Sequence, residues 1–472
     1  MHKGQVMHVR RMMSTFNRRR FLQSAAAVGA GLAFAPAGRS GETTKPDQIN
    51  IALLGAGTHG MTLMDGCRRI AGVRFKAVCD IWQAYNLKRA ARILEKYGHA
   101  VNAYTDYEEM LDQEKDLDAV IVATPDFWHA RHAVACLNKG LHVYCESPMS
   151  NSVPDARRMV EAARRNGRLL QIGQQRRSNP QYRFCYEKIL AEVKLLGRII
   201  AVNGQWNRGV ELPYGWPKRV EIDLATLRKY GYESMEQFRN WRWYKGLGSG
   251  PVVDLGSHQI DVYNWFLGAR PTSVLASGHT NYYDKATHEW YDTVVAVYEY
   301  EAPQGAVTAS YQVLSANRYD GYIERFLGDN GTLAISQRSD RARLYPDLIG
   351  GSDTAPWVAC LKKGYLTVPP EWRALLERHH KTDEQFAELF VHESLEFPGP
   401  MVVEQLSCGL PVKLDKPIHQ PHLENFFDAI RGRAKLNCPA EVGYETAVTV
   451  LKINEALQAG CKIKLKPGDF IV

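Results

Sequence analysis

Apolar positions in the first third of the chain alternate between two periods. Short apolar runs of strand length lie at residues 49–54, 73–79, 119–123, 142–145 and 169–173. Apolar residues between them recur at helical spacing, for example over residues 86–97 and 154–165. Strands that alternate with helices favour a parallel sheet, so residues 48–173 are predicted to form a doubly wound α/β domain.

The pattern changes after residue 173. Longer stretches rich in aromatic and β-branched residues lie at 199–206, 293–300 and 305–313. These predict antiparallel strands, and hence a second α/β domain over residues 174–472 with an open, mainly antiparallel sheet. Residues 339–417 contain several glycines and prolines and are predicted to be an irregular insertion. Helical periodicity returns at 422–431 and 444–458.

Composition agrees with a soluble protein of two domains. At 472 residues with 45% apolar content, the chain exceeds the size at which single cores usually divide. The net charge of +8 suggests a nucleic-acid partner at first sight. However, six of those eight charges precede Gln48, so the folded part is nearly neutral and a phosphate-binding surface is not indicated.

The basic residues at the start form a recognisable pattern. Arg18, Arg19 and Arg20 precede a mildly apolar run over residues 24–35, followed by small residues suited to cleavage. This resembles a twin-arginine export signal with a linker, over residues 1–47, and predicts a periplasmic or otherwise exported protein. The run is too short for a stable membrane span. A lipid-bound anchor or a chance basic arm remains the alternative.

The cysteines and histidines do not indicate a metal site or a disulfide framework. The nine cysteines are scattered, without a C-x-x-C pair or a histidine at zinc-like spacing. His279, His288 and Glu289 are too loosely spaced for a convincing ligand set. We therefore predict no metal.

A glycine-rich turn directly follows the first apolar strand. Gly55-Ala56-Gly57-Thr58-His59-Gly60 has the G-x-G-x-x-G spacing of a dinucleotide-binding turn and precedes a helix. The three glycines allow the tight turn, the approach of the pyrophosphate and close packing of helix on strand. Asp80 ends the second strand, where a carboxylate binds ribose hydroxyls and repels a 2′-phosphate. The sequence thus predicts a Rossmann domain that binds NAD in preference to NADP.

The ends of two later predicted strands, 119–123 and 142–145, should lie beside the glycine-rich turn, because ligands in such sheets bind in a crevice at the carboxyl ends of the strands. The residues predicted to bind the cofactor are Gly55, Gly57, Thr58, His59, Gly60, Asp80, Thr124, Pro125, His129, Glu146 and Gln174. For His129, a purely structural role at a helix start is the equal alternative.

A histidine and two carboxylates mark the helix that begins near Pro251. Asp254 and Asp261 lie four residues before and three residues after His258, so all three can share one helical face. A histidine beside a carboxylate is what hydride removal from an alcohol needs, because the imidazole can take the hydroxyl proton. A salt-bridged helix start without catalytic function is the alternative.

Together these motifs resemble the glucose-fructose oxidoreductase, inositol dehydrogenase and rhizopine-catabolism family, known as Gfo/Idh/MocA. The supporting segments are Gly55–Gly60, Asp80, Ala123–Pro125, Glu146–Pro148, Trp241–Tyr244, Asp254–His258, Gly328–Leu333 and His422–Phe426. The resemblance implies an NAD-dependent oxidoreductase acting on a small carbohydrate or polyol. It also implies a C-terminal sheet used for substrate binding and homo-oligomer contacts, with His258 and Asp254 as catalytic residues.

One position departs from the family pattern. Ser147 stands where the family usually has a lysine that assists proton transfer, and a serine hydroxyl cannot supply a positive charge. His258 would then act as the base more alone, oriented by Asp254, or another residue would contribute. The residues predicted to contact substrate are Ser147, Arg176, Tyr182, Trp243, Tyr244 and Asp261.

The same departure leaves two alternative functions. NAD-dependent α-N-acetylgalactosaminidases of this family also lack the lysine and use NAD without net consumption, which suggests a redox-neutral glycosidase. A non-catalytic sugar or cofactor sensor is the other alternative. Because no free nicotinamide pool is expected outside the cytoplasm, an exported enzyme should carry tightly bound NAD and recycle it in place.

Overall fold

The computed structural model describes residues 47–347, 355–369, 373 and 407–472. The predicted export signal and most of the central part of the predicted insertion lie outside the described residues. Among the helices that are described, none is long and apolar enough to cross a membrane.

The first domain contains a six-stranded parallel sheet. Its strands are β1 (Ile49–Leu54), β2 (Val73–Cys79), β3 (Asn102–Tyr104), β4 (Ala119–Val122), β5 (His142–Cys145) and β6 (Leu170–Ile172). They are arranged in the order β3-β2-β1-β4-β5-β6, with all neighbours parallel. Every residue of β1 and β4 is buried, as expected for strands covered on both faces by helices. The predicted doubly wound Rossmann sheet is confirmed.

Helices connect these strands. They are α1 (Thr58–Cys67), α2 (Lys88–Lys96), α3 (Tyr107–Gln113), α4 (Asp126–Asn138) and α5 (Val153–Asn166), with a π-helical turn at Gln83–Leu87 before α2. Local sequence explains their ends: α5 starts after Ser152, whose hydroxyl accepts the amide of Asp155, and stops at Gly167 in a left-handed conformation. The strand order reverses between β1 and β4, which places a ligand crevice at their carboxyl ends.

The second sheet has eight strands. They are β7 (Ile199–Asn207), β8 (Pro271–His279), β9 (Thr293–Ala302), β10 (Gly305–Leu314), β11 (Tyr322–Gly328), β12 (Gly331–Ile335), β13 (Arg343–Pro346) and β14 (Ile463–Lys464). The order is β13-β12-β11-β7-β10-β9-β8-β14, and only β7 and β10 run parallel in this set. The predicted open, mainly antiparallel sheet is confirmed.

Seven further helices lie outside the first sheet in the described part of the chain. They are α6 (Pro180–Phe184), α7 (Leu224–Lys229), α8 (Met235–Asn240), α9 (Pro251–Leu267), α10 (Ala355–Lys362), α11 (Gln420–Ile430) and α12 (Ala440–Ala459). A π-helical segment, Cys185–Glu192, continues α6. Both β13 and α10 lie inside residues 339–417, so this stretch is more regular than its sequence predicts: β13 pairs with β12 at the sheet edge.

Helix α11 packs against the first domain although it is distant in sequence. Leu423, Phe426 and Phe427 are fully buried in the same cluster as β1 and α1. The His422 imidazole contacts the carbonyl of Ile172 at 2.9 Å. The C-terminal segment therefore completes the core beneath the glycine-rich turn.

Residues 208–249, which we call the strap, connect β7 to α9 and pack on the first domain. Their aromatic residues Tyr230 and Tyr232 share a buried cluster with Trp82, which lies just after β2. The indole of Trp82 donates to the carbonyl of Val220 at 2.5 Å, and Lys229 pairs with Asp106 at 3.0 Å. The strap thereby covers the ligand crevice from the side of β2.

Candidate active site

One cleft of about 530 Å³ lies at the carboxyl ends of the parallel strands. From the first domain its lining includes Gly55, Gly57, Thr58, His59, Asp80, Thr124, Pro125, Glu146 and Ser147. From the strap and the second domain it includes Trp206, Arg208, Arg239, Arg242, Trp243 and Asp254. The structure thus brings most of the predicted cofactor residues together with the start of α9.

The glycine-rich turn has the shape needed to hold a dinucleotide. Gly55 has φ +91°, and a Cβ there would lie 2.7 Å from the Ala123 carbonyl. A Cβ on Gly60 would lie 1.9 Å from the carbonyl oxygen of Gly55. At Gly57, by contrast, a Cβ would meet no described atom within 4 Å. Two glycines are required by the turn itself, and the third leaves open space through which a pyrophosphate can approach the backbone.

Asp80 lies where the predicted ribose contact requires it. One carboxylate oxygen accepts the amide of Ala56 and the other accepts the amide of Trp82, each at 2.8 Å. Burial raises the pKa of Asp80, while those two amides oppose the shift. The carboxylate lines the cleft and keeps lone pairs for further donors, so it can also bind ribose hydroxyls.

His129 contacts the segments that follow both β4 and β5. Its ring nitrogens lie 2.9 Å from the carbonyl oxygen of Pro148 and 2.7 Å from that of Thr124. The side chain is 2% exposed, and burial lowers its pKa. With both nitrogens engaged, His129 positions the segments that bind the cofactor, which agrees with the structural alternative for this residue.

Glu146 is a buried carboxylate of the cleft, with partners on both sides. It lies 3.1 Å from Nε2 of His59 and also accepts the hydroxyl of Tyr144 at 3.2 Å. Burial alone would raise the pKa of Glu146, but His59 and His419 hold it well below its usual value. Conversely, burial disfavours the charged imidazole of His59, and Glu146 raises the pKa of His59 nonetheless. The site therefore holds a buried carboxylate faced by imidazoles.

Asp254 and His258, at the start of α9, do not form the predicted hydrogen-bonded pair. The Asp254 carboxylate accepts a hydrogen bond from Arg242 at 3.1 Å, and no hydrogen bond between Asp254 and His258 is present. His258 is partly buried, with its ring centroid 5.9 Å from that of Trp206. Its Nδ1 has no hydrogen-bond partner within the described ranges. Burial, with the nearby Arg176 guanidinium, lowers the pKa of His258 to about 3.

Two family descriptions match this chain over about half its length. The NAD-binding Rossmann domain of the Gfo/Idh/MocA oxidoreductases matches residues 49–174, and the C-terminal domain of the same family matches residues 214–334. The chain belongs to the Gfo/Idh/MocA oxidoreductase family. Its predicted membership is confirmed, and its first domain is an NAD-binding domain.

Curated relatives resemble mainly the first part of the chain. A 4-carboxy-2-hydroxymuconate-6-semialdehyde dehydrogenase of Sphingobium is 36% identical over 143 residues, which are 30% of this chain and 44% of that protein. An inositol 2-dehydrogenase of Salmonella typhimurium is 34% identical over 177 residues, 35% of this chain and 51% of that protein. A glycosyl hydrolase family 109 protein of Shewanella putrefaciens is 29% identical over 32% of this chain and 38% of that protein. The chain spans about half or less of these relatives.

Solved structures share the fold at low identity. The WlbA dehydrogenase of Bordetella pertussis, in complex with NADH and UDP-GlcNAcA, has a TM-score of 0.61 and 19% identity, covering 89% of this chain and 98% of that one. The aldose-aldose oxidoreductase of Caulobacter crescentus, complexed with glycerol, has a TM-score of 0.60 and 18% identity, covering 89% and 100%.

Several residues predicted to contact substrate are instead buried in the protein. Arg176 and Tyr182 both bind the carboxylate of Glu324, the tyrosine at 2.8 Å, and neither is more than 1% exposed. Asp261 is fully buried, pairs with Arg177 at 2.8 Å and is not among the residues that line the cleft. The polar groups of these three residues are engaged by partners distant in sequence, so the structure does not place them at the cleft, and their contact with substrate stays a prediction.

Four other predicted residues are not among those that line the cleft: Gly60, Gln174, Tyr244 and His258. Tyr244 packs in the buried cluster of the strap, and Gln174, just after β6, is 2% exposed. Ser147 and Trp243 do line the cleft, and their contact with substrate stays a prediction.

Sequence reasoning missed three cleft or near-cleft residues. Arg239 and Arg242 lie on the strap, and His419 lies just before α11, within ring contact of His59. Arg242 belongs to a family motif that is visible in the sequence, but the spacing of the two residues does not predict that Arg242 pairs with Asp254. His419 carried no local signal, because only the return of the C-terminal segment brings it to the first domain.

Proposed function

We propose that this protein is an exported NAD-dependent oxidoreductase that oxidises a carbinol group of a sugar, glycoside or polyol. The observation that carries the proposal is the cleft that combines the NAD-binding turn with planar and polar side chains of the second domain. Trp206 and Trp243 offer ring faces to the apolar face of a sugar, and Arg208 offers donors to its hydroxyls.

Bound NAD supplies the acceptor for a hydride. The chain must take up the hydroxyl proton, and His258 is the base we assign to that step. Its ring lies 5.9 Å from that of Trp206 in the cleft wall but does not itself line the cleft, so the assignment requires the substrate or a side chain to move before the proton is transferred. Its lowered pKa keeps the imidazole neutral at pH 7, so it can accept a proton, although such a low pKa makes it a weak base in the free protein. Efficient transfer requires this pKa to rise when the substrate binds; further burial would oppose that rise, whereas a hydrogen-bond acceptor or a negative charge placed beside the ring would favour it.

Asp254 acts on this site through Arg242 in our proposal. The carboxylate holds the guanidinium at the cleft wall at 3.1 Å, where its remaining N–H groups can bind substrate oxygens. Ser147, in place of the family lysine, lies 3.3 Å from the hydroxyl of Ser257. This neutral pair can orient a substrate hydroxyl, but it supplies no charge.

The strap supports the idea of a retained cofactor. Leu212, Tyr214 and Arg239 of the strap line the cleft, and the strap is anchored to the first domain through Trp82 and Asp106. In our proposal these contacts slow the release of a bound dinucleotide. An exported enzyme with the predicted twin-arginine signal needs such retention if it carries NAD out of the cytoplasm.

A redox-neutral glycosidase is the second candidate. Its support is Ser147 together with the similarity to family 109 glycosyl hydrolases, which is limited to about a third of this chain. The two candidates differ in product: a dehydrogenase changes the redox state of NAD at each turnover, whereas a glycosidase cleaves an aryl glycoside with no net change of NAD.

The experiment tests a panel of free sugars, polyols and nitrophenyl glycosides. The absorbance of NADH is followed at about 340 nm and that of released nitrophenol at about 400 nm. We expect NADH formation on at least one carbinol substrate. His258→Ala should lower kcat by about 100-fold or more, within the range that general bases contribute. His279→Ala, a change at an exposed histidine on β8, is the matched control. Nitrophenol release without NADH would favour the glycosidase, and no turnover at all would favour a sensor.

The outer face of the second sheet supports the proposed homo-oligomer. Leu275 and Val297 pair across β8 and β9, and both, with Val295, are at least 36% exposed. A row of exposed apolar residues on a sheet is typical of an interface. Light scattering should show a dimer or larger species, and Val297→Lys should lower its mass; a monomeric wild type would contradict this proposal.

A further inference from the structure

Three side chains that commonly bind metals meet beside the glycine-rich turn. His59 is the second residue of α1, Glu146 follows β5 and His419 immediately precedes α11. One ring nitrogen of each histidine and one carboxylate oxygen of Glu146 all lie within 4.8 Å of one another. We propose that this cluster binds one divalent transition-metal ion of the zinc class, which the spacing of histidines and cysteines in the sequence does not predict.

The ligand set suits such an ion. Two imidazoles and one carboxylate form a three-residue set that leaves at least one coordination position open, as in catalytic zinc sites. Zinc binds such ligands at about 2.1 Å, which sets them about 3.4 Å apart in a tetrahedral site. Nε2 of His59 and a carboxylate oxygen of Glu146 are already 3.1 Å apart, so the adjustment needed to hold an ion falls mainly on His419. They come from three separate chain segments, each held by a neighbouring strand or helix.

The surroundings orient the cluster for a cation. Glu146 accepts hydrogen bonds from the Tyr144 hydroxyl at 3.2 Å and from the Ser147 amide at 3.1 Å, which fix the direction of its carboxylate. Nδ1 of His419 is buried and has no hydrogen-bond partner among the described residues. Arg242, whose charge would oppose a nearby cation, is neutralised by Asp254.

The site has a direct relation to the cleft. His59 and Glu146 line the cleft, as does Ser147, the residue that replaces the family lysine. An ion bound here would supply positive charge beside a substrate oxygen, which a Lewis acid can polarise so that its proton leaves more readily to a base. This role rests on the proposed function, whereas binding of the ion does not.

The test measures metal binding directly. Full-length protein carrying Cys461→Ser, to remove an exposed thiol, is stripped with EDTA and titrated with Zn²⁺ in a calorimeter. We expect one ion per chain. His419→Ala should weaken the affinity by at least about 100-fold, the upper end of the effect of removing even an outer-sphere partner. His279→Ala, at an exposed position, should bind as tightly as the parent.

Co²⁺ provides a second measurement that needs no variant. Its visible absorption in the parent protein should have the intensity of a four- or five-coordinate site, and Zn²⁺ should displace it. A six-coordinate aquo-like spectrum, or Zn²⁺ affinity that His419→Ala leaves unchanged while the near-ultraviolet circular dichroism is native, would overturn the site. If Zn²⁺ binds but no carbinol substrate is oxidised, the site stands and the proposed function fails.

Discussion

The glycine-rich turn allows two alanine substitutions with opposite effects to be compared. At Gly57 the backbone has φ −66° and ψ −175°, which alanine adopts readily, and its Cβ would meet no described atom within 4 Å. At Gly60 the Cβ would lie 1.9 Å from a backbone oxygen that cannot rotate away. Gly57→Ala therefore tests the cofactor approach, whereas Gly60→Ala tests the turn itself.

The magnitudes follow from these geometries. Gly57→Ala restricts only the unfolded chain, so cofactor-free protein should gain about 0.4–1 kcal/mol of stability. Gly60 lies in α1, where alanine gains about 1 kcal/mol in helix propensity, but the clash costs about 3 kcal/mol. The net loss of about 2 kcal/mol corresponds to a fall in Tm of about 2 °C, because the turn belongs to one compact unit that spans Pro46–Val472 and has a large entropy of unfolding. The new methyl of Gly57→Ala should weaken NAD binding by about 1–3 kcal/mol, or about 5- to 150-fold.

The assay combines differential scanning fluorimetry of cofactor-free protein with calorimetric titration of NAD. We expect Gly57→Ala to keep or raise Tm while its Kd for NAD rises, and Gly60→Ala to lower Tm. If Gly57→Ala binds NAD as tightly as the parent, the pyrophosphate does not pass this residue and the assignment of the turn is refuted. If its Tm falls, the space above Gly57 is not open.

Three further predictions concern charged groups. Burial raises the pKa of Asp126 to about 7, so between about pH 4 and pH 7 the native state holds a proton that the unfolded chain releases, and stability falls as pH rises through this window. Asp126→Asn should remove up to about 4 kcal/mol of this loss of stability. Its Tm should exceed that of the parent by a small amount at about pH 4.5 and by the largest amount at about pH 8. A Tm difference independent of pH would contradict this. Glu324→Ala leaves the buried Arg176 unpaired and should cost about 3–5 kcal/mol, whereas Glu299→Ala, in an exposed pair with Lys462, should leave Tm unchanged; equal effects would refute the importance of the buried pair. Asp80→Ala should weaken NAD binding by about 1.5–3 kcal/mol and reduce the preference for NAD over NADP, as measured by calorimetric titration of both; an unchanged ratio would reject the ribose contact.

The sequence predicts best what is determined locally. The strands of the first sheet are continuous apolar runs, and the turn after β1 needs glycine for steric reasons that involve its immediate neighbours. Both features could therefore be identified without knowledge of the remainder of the chain. The alternating pattern of β9 and β10 likewise indicates strands with one buried and one exposed face.

The side-chain placements that sequence did not anticipate depend on partners distant in sequence. From sequence alone Arg176 is a candidate substrate ligand, but in the structure its guanidinium forms a buried ion pair with Glu324 on β11. Asp254 and His258 have helical spacing suited to a pair, yet Arg242 on the strap takes the carboxylate. His419 reaches the cleft only because α11 packs against α1. Spacing along one helix cannot reveal such competition between distant partners.

We propose an NAD-dependent oxidoreductase that retains its cofactor under the strap. The most direct measurement is to purify the protein without added nucleotide, denature it, and identify and quantify the released cofactor by mass spectrometry. We predict close to one NAD per chain. A protein that is purified empty and that also fails to bind added NAD or NADP would contradict the claim.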